Sequence, residues 1–300
     1  MRYIITGGAG FIGTNLVREL LREHDAVHIV DTLVAGKRDR IPEGVILHEV
    51  DIRDTKALTD ILQEGDIVVH LAALPRVQFS IEHPMDSHDV NVNGTLSVLE
   101  AARAKKIKRI VYAASSSAYG NQEALPLSET LSPEPQSPYG VQKYIGEELL
   151  QVWSKVYGIE TVSLRFFNVY GPFLDPEGAY ALVIGRFLKL RSEGKPLTIT
   201  GDGTQTRDFT HVYDVVDAIK RAAHADTVGN GEVLNVGAGH DVSINELAEL
   251  IGGEIEYIAP RLEPKHTQAD NTKIKTLLGW EPRVSLVEGV AELKKEWNLT

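Results

Sequence analysis

The sequence contains no cysteine. That excludes disulfides, thiolate nucleophiles and thiolate metal sites. Methionine is scarce, with two residues, and aromatics make up only 7%. No apolar run approaches the ~20 residues that a membrane-crossing helix needs. Basic residues are in deficit: 31 Lys and Arg stand against 42 Asp and Glu, a net charge of −11. This argues against nucleic acid or an anionic membrane as partner. Small anionic ligands remain open, because they need only local cations. Met1 leads straight into a strand pattern, with none of the regions of a signal peptide. The cytoplasm is the expected location. The lack of cysteine, the low methionine and the few Asn and Gln would suit a thermophile. What is present is ordinary for a globular protein. Three hundred residues with 43% hydrophobic content suffice for one large or two modest domains with a real core.

The most informative stretch is the first. Arg2 to Thr6 is short, apolar and β-prone, and Gly7-Gly8-Ala9-Gly10-Phe11-Ile12-Gly13 follows at once. Phe11, Ile12, Leu16, Leu20 and Leu21 then recur at helical spacing. Ala26 to Val30 is a second apolar strand with Asp31 at its end. Gly7 would permit a sharp turn, Gly10 would let a pyrophosphate approach the backbone, and Gly13 would let the helix lie close on the sheet. The spacing is Gly-x-x-Gly-x-x-Gly rather than the tighter dinucleotide form. Strand, turn, helix, strand and acid in that order nevertheless point to a dinucleotide site. Asp31 could accept hydrogen bonds from the adenosine ribose and would repel a 2′-phosphate, favouring NAD over NADP. Lys37 and Arg38 lie close enough in sequence to weaken that preference. The plainer alternative is a structural turn with a surface Asp31.

Further strands follow at 45–50 and 66–71. Asp51-Ile52 could meet the adenine ring, or Asp51 could cap a helix near 56–62. Leu71-Ala72-Ala73 ends the fourth strand, where small residues would let a cofactor lie against the backbone. A helical pattern covers 89–104, with Asn91 and Asn93 near its start as cofactor contacts or caps. Residues 109–114 read as a fifth strand. With Ala113 near its end, it delivers Ser115-Ser116-Ser117 to the carboxyl-end crevice, where open α/β sheets bind ligands. A polar loop is the alternative. After a proline-rich loop, Tyr139-Gly140-Val141-Gln142-Lys143 opens a helix to about Tyr157. Tyr139 and Lys143, four apart, share one helix face with Cβ atoms roughly 5–6 Å apart. An ammonium there would lower the tyrosine pKa from its usual ~10, and the positive nicotinamide ring of NAD+ would act the same way. Such a tyrosine can serve as a general base near neutral pH.

Together these residues resemble the extended short-chain dehydrogenase/reductase superfamily over essentially the whole chain. Within it the match is to nucleotide-sugar epimerases, the UDP-glucose (UDP-galactose) 4-epimerases above all. The resemblance implies an α/β fold: a Rossmann-like, doubly wound parallel sheet with a smaller α/β carboxyl-terminal substrate domain. The expected division is residues 1–168 for the dinucleotide, with 208–240 packing back on them, and 169–300 for the nucleotide sugar. Ser115, Tyr139 and Lys143 match the family's catalytic trio. Ser117 would touch the sugar, and Asn168, in Arg165-Phe166-Phe167-Asn168, the substrate diphosphate or sugar. Leu197, Thr198 and Ile199 would flank the uracil, and Arg207 would grip the diphosphate, for which its planar fork is suited. A surface pair between Arg207 and Asp208 is the alternative. Arg261 matches a second phosphate-binding arginine and Asp270 the acid near the ribose. The usual Arg-x-Gly-Asp is replaced here by Arg261-Leu262-Glu263-Pro264. Thr267 lies near the position that limits bulk at the sugar's C2.

The implied activity is NAD-dependent epimerisation at C4 of a UDP-hexose through a transient 4-keto sugar. The cofactor would be recycled in place and no metal is needed. UDP-N-acetylhexosamines and UDP-uronates are alternative substrates. A 4,6-dehydratase needs an acid and a base after the hydroxyl residue, and a UDP-glucuronate decarboxylase usually keeps a glutamate there. Ser116-Ser117 supplies no carboxylate. A non-catalytic NAD-sensing regulator tends to lose the Tyr-Lys pair, present here, whereas a sugar reductase would need the same trio. Helices 89–104 and 140–157 are the expected faces of a homodimer.

Overall fold

The computed structural model describes residues 1–23, 25–175, 183–260 and 265–299. Seven strands form a parallel sheet: β1 (Arg2–Thr6), β2 (Ala26–Val30), β3 (Ile46–His48), β4 (Ile67–His70), β5 (Arg109–Ser115), β6 (Glu160–Phe166) and, later in the chain, β9 (Asn230–Val236). Their order is β3-β2-β1-β4-β5-β6-β9. The winding reverses between β1 and β4, which opens a crevice at the carboxyl ends of the strands.

Helices cover both faces, so strand residues alternate between two apolar layers. Tyr3, Ile5, Val69 and Val111 join one layer with α1 (Phe11–Arg22) and α8 (Val212–His224). Ile4, Val68 and Ile110 join the other with α2 (Thr55–Ile61), α5 (Gly94–Lys105) and α6 (Pro138–Tyr157). Ile274 and Leu278 of α10 (Thr272–Leu278) and the following Trp280 also enter the first layer.

A third cluster fills a separate unit. There α7 (Val183–Ser192), α9 (Ile244–Ile251) and α11 (Leu286–Glu296) pack around a parallel pair, β7 (Leu197–Thr200) with β11 (Ile255–Ile258). An antiparallel pair, β8 (Thr206–Arg207) with β10 (Val242–Ser243), lies beside it. Capping boxes of Ser243 with Glu246 and Ser285 with Glu288 start α9 and α11.

Several elements depart from the sequence reading. The third strand is only Ile46–His48. The cap of α2 is Asp54, whose side chain accepts from Ala57 N, so Asp51 is released from that role. The 89–104 helix has a longer lead-in. The short α3 (Val77–Glu82) is followed by α4 (Pro84–His88), which continues through a π-helical turn at Asp89–Asn93 into α5. Asn91 and Asn93 therefore sit inside a helical run and cap nothing. Helix α7 is described from Val183, and residues 176–182 lie outside the described ones.

Helix α6 begins with Ser137, whose hydroxyl accepts from Gly140 N, and with Pro138 at its first position. Its inner face carries Glu147, fully buried, which takes a bidentate pair from Arg165 of β6 at 2.9 and 2.7 Å. The Arg165 guanidinium lies over the Tyr119 ring at 4.5 Å. Removing one partner of such a pair leaves an uncompensated buried charge. Arg165→Leu is expected to destabilise the fold by about 3–5 kcal/mol, read as a lower denaturant midpoint in equilibrium unfolding.

Candidate active site

The crevice, of about 690 Å³, lies where β1, β4 and β5 end. Its first wall is the glycine turn. Gly7 has φ +71°, and a Cβ there would lie 2.7 Å from Ala72 N. A Cβ on Gly13 would lie 2.4 Å from the Gly7 carbonyl. On Gly10 a Cβ would meet only Gly7 O, at 3.2 Å. The chain here is thus too close-packed for side chains on one side and open on the other. No side chain caps the first turn of α1, and Gly10 is its N-cap. A turn of uncapped N–H groups at a positive dipole end is an anion site.

Asp31 ties this turn to the end of β2, accepting from Ala9 N at 3.0 Å and Leu33 N at 2.8 Å. Burial raises its pKa, and these two N–H bonds pull the other way. Lys37 pairs with Asp175 at 2.7 Å and Arg38 with Glu49. Both nearby cations are therefore committed to other carboxylates. A cradle without Cβ atoms, an uncapped helix start and an acid at the ribose position fit a dinucleotide lacking a 2′-phosphate.

Leu71, Ala72 and Ala73 form the floor, with Asp51 and Ile52 on the adenine side. Asp51 accepts from Arg53, chiefly through the guanidinium, which lowers its pKa. Thr6 Oγ1 accepts from Ala72 N at 3.2 Å and meets His70 Nδ1 at 2.7 Å. Burial, aided by the Lys143 charge, pushes His70 down to about 3, so it is neutral. Asn91 is a correction. Its carbonyl accepts from Leu74 N and its amide donates to Leu74 O and Gln142 Oε1. It is 2% exposed and holds the loop behind the wall instead of facing the crevice. Asn93 donates to Asp89.

On the opposite wall Ala113, Ser115, Ser117, Tyr139, Lys143 and Asn168 come together. Ser115 Oγ donates to Ser117 Oγ at 3.0 Å and accepts from Ser117 N at 3.1 Å. Lys143 Nζ donates to the Ala113 carbonyl at 2.8 Å and lies over the Tyr112 ring at 4.7 Å. The expected depression of the tyrosine pKa does not occur in this state. Burial pushes Tyr139 up to about 12, with the Ser115 hydroxyl working against it. Burial pulls Lys143 down to about 7, opposed by Glu147. Desolvation of two groups whose ionised forms are charged outweighs their attraction.

The expected substrate residues divide. Asn168 reaches the crevice with its backbone at φ +26° and donates to Asp208 O at 3.1 Å. Leu197 and Ile199 are fully buried in the third cluster. Strand alternation sends both to that core and only Thr198 to the other face. Side-chain flanking of a base by Leu197 and Ile199 is therefore corrected to packing. Arg207, half-buried on β8, donates to Thr206 O. Asp208 is not a surface partner. It is fully buried and accepts from Ala238, Gly239 and Ala269 N–H groups. Burial holds its pKa up at about 6 against those three bonds. Asp270 accepts from Thr272 N, and its backbone N–H donates to Leu127 O. Thr267 is half-buried, and Arg261 lies outside the described residues.

The residues that sequence reasoning missed are Glu147, Arg165 and Asp208. Glu147 stands four after Lys143, a helical spacing that could have flagged it. The burial of Asp208 has no sequence signal.

A doubly wound parallel sheet, a glycine turn ending in Asp31 and a Ser-Tyr-Lys constellation at the strand ends define a member of the short-chain dehydrogenase/reductase superfamily. More narrowly, the chain belongs to the NAD-dependent epimerase/dehydratase family, whose profile matches residues 3–237. It is 36% identical over 307 residues to the UDP-glucose 4-epimerase of Mycolicibacterium smegmatis, covering 97% of each chain. It is 37% identical over 309 residues to the UDP-glucuronate 4-epimerase of Thermodesulfobacterium geofontis, covering 96% of this chain and 93% of that one. The crystal structure of Thermotoga maritima UDP-glucose 4-epimerase with UDP-glucose superposes with a TM-score of 0.93 at 36% identity, covering 99% and 98%.

Gly13→Ala forces a Cβ into the glycine turn, an overpacking worth about 1–3 kcal/mol. The purified variant is expected to carry about tenfold less NAD than wild type, assayed enzymatically on the acid-released cofactor.

Proposed function

We propose that the chain interconverts the C4 epimers of a UDP-hexose, UDP-galactose and UDP-glucose first, and keeps its NAD between turnovers. The observation that carries this is the meeting of Ser115, Tyr139 and Lys143 in one crevice with the glycine turn. NAD, held by the Gly7–Gly13 turn, Asp31 and the Leu71–Ala73 floor, supplies a hydride acceptor and donor in that crevice. Tyr139 takes the proton of the 4-hydroxyl, and Ser115 holds the same oxygen and relays the proton. Lys143 stabilises the phenolate. The 4-keto sugar then turns about its link to the diphosphate, so that C4 would take the hydride back on its opposite face while Tyr139 returns the proton to the 4-oxygen. Asn168 and Arg207 bind the nucleotide diphosphate, providing binding energy remote from the reacting carbon. Elimination of water is disfavoured because Ser116 and Ser117 carry no carboxylate.

A second reading, UDP-glucuronate as substrate, draws support from the T. geofontis relative, as similar to this chain as the UDP-glucose enzyme. The UDP-N-acetylhexosamines stand behind it. Val141, Val152 and Val156 of α6 and Leu96 of α5 are exposed, which supports a homodimer built on these two helices.

Proton NMR of UDP-galactose with purified protein and no added cofactor tests the first reading. Growth of the UDP-glucose anomeric signal to a steady ratio is expected. If the sample stays silent with and without NAD+ while UDP-glucuronate is converted, the uronate reading replaces it. Tyr139→Phe is expected to lower kcat by about 10²–10⁴ while NAD stays bound.

A further inference from the structure

We propose that Asp208 is the positioning residue that assembles the substrate half of the crevice, its buried carboxylate locking three chain segments to one another. The lock is visible in its partners. One oxygen accepts from Ala238 N at 2.6 Å. The other accepts from Gly239 N at 3.0 Å and Ala269 N at 2.9 Å. Residues 238 and 239 follow β9, the last strand of the dinucleotide sheet, whereas 269 belongs to the carboxyl-terminal segment. Asp208 itself continues from Arg207, and its carbonyl accepts from Asn168. Asn168 thus reaches the backbone of the residue that carries this carboxylate, and Arg207 is its chain neighbour.

An isolated buried carboxylate is costly unless its lone pairs are met. Here backbone N–H groups meet them, and only a carboxylate presents acceptors on both oxygens. An asparagine would turn an NH2 group towards N–H donors. The fit is also tight. A Cβ on Gly237 would lie 2.9 Å from Asp208 Oδ2 and 2.3 Å from Ala269 Cβ. Gly237 therefore lets the loop after β9 and the 269 segment close on the same carboxylate. Asn271 donates to Gly237 O and Gln268 to Gly239 O, which seals the same seam. Cohesion alone would be served as well by apolar packing there. What the carboxylate adds is a defined position for the Asn168–Arg207 segment relative to the sheet.

This inference rests on the nucleotide-sugar reading, and the test separates the two. Asp208→Asn is compared with wild type as NAD-loaded full-length protein. The expected result is a KM for UDP-galactose and a Kd for UDP raised about tenfold or more, with kcat at saturation within about threefold. NAD content is expected to stay unchanged. Loss of kcat at constant KM, loss of NAD together with UDP, or unchanged constants would each overturn the proposal. Should Asp208→Asn fail to fold, Gly237→Ala keeps the carboxylate, displaces Ala269 and is expected to raise KM and the Kd for UDP in the same way. Hydrogen exchange at the Ala238, Gly239 and Ala269 amides should quicken in both variants while β1 and α1 stay protected. If wild type binds no UDP, the nucleotide reading fails. Unchanged exchange at the three amides would then still overturn the lock, and quickened exchange would support it.

Discussion

The cofactor half of the crevice depends on the passage of the backbone at Gly7. β1 lies between β2 and β4, and its end must turn at positive φ while touching the backbone of Leu71 and Ala72. No side chain fits there, and the Gly7 N–H is spent on Val30 O at 2.9 Å. This one turn sets the start of α1, the place of Asp31 and the floor of the crevice. Asp31 closes the arrangement by accepting from Ala9 N within the turn. Cofactor recognition is therefore built from backbone geometry first, and its charged residue is held by that geometry.

The opposite wall is governed by desolvation. Lys143 and Tyr139 lie one helical turn apart, yet burial moves them towards their neutral forms, the lysine to about 7 and the tyrosine to about 12. The lysine is thus held near the point at which it gains or loses a proton, while the tyrosine keeps its own. Behind it, Glu147 and Arg165 extend the polar chain to Tyr119, whose hydroxyl donates to Asn235. Asn235 in turn donates to the carbonyls of Leu127 and Asp270. These contacts thus link α6 to the chain at Asp270.

Much of the fold and half of the site were legible in the sequence. Parallel strands buried on both faces leave continuous apolar runs, and the helices between them repeat at their own period. The dinucleotide turn was legible because each glycine answers a local steric demand. Ser115, Tyr139 and Lys143 were legible because a strand end and a four-residue helical spacing bring them together within fifty residues of sequence. Asn91 misled because the helix begins earlier, through α4 and a π-turn, and its amide is consumed by Leu74 and Gln142. Leu197 and Ile199 misled because both faces of a short strand look alike until its packing partner is known.

By itself the sequence determined the parallel architecture and the cofactor class, since both follow from local patterns along contiguous chain. Tertiary structure alone decided which charges are buried and who answers them. It set the neutral tendency of Lys143, the pairing of Glu147 with Arg165 and the three-segment grip of Asp208. The physical reason is that desolvation and backbone hydrogen bonding depend on neighbours distant in sequence, as when the Asn235 N–H donates to Glu129 from 106 residues away and the Asn235 amide donates to Asp270 O.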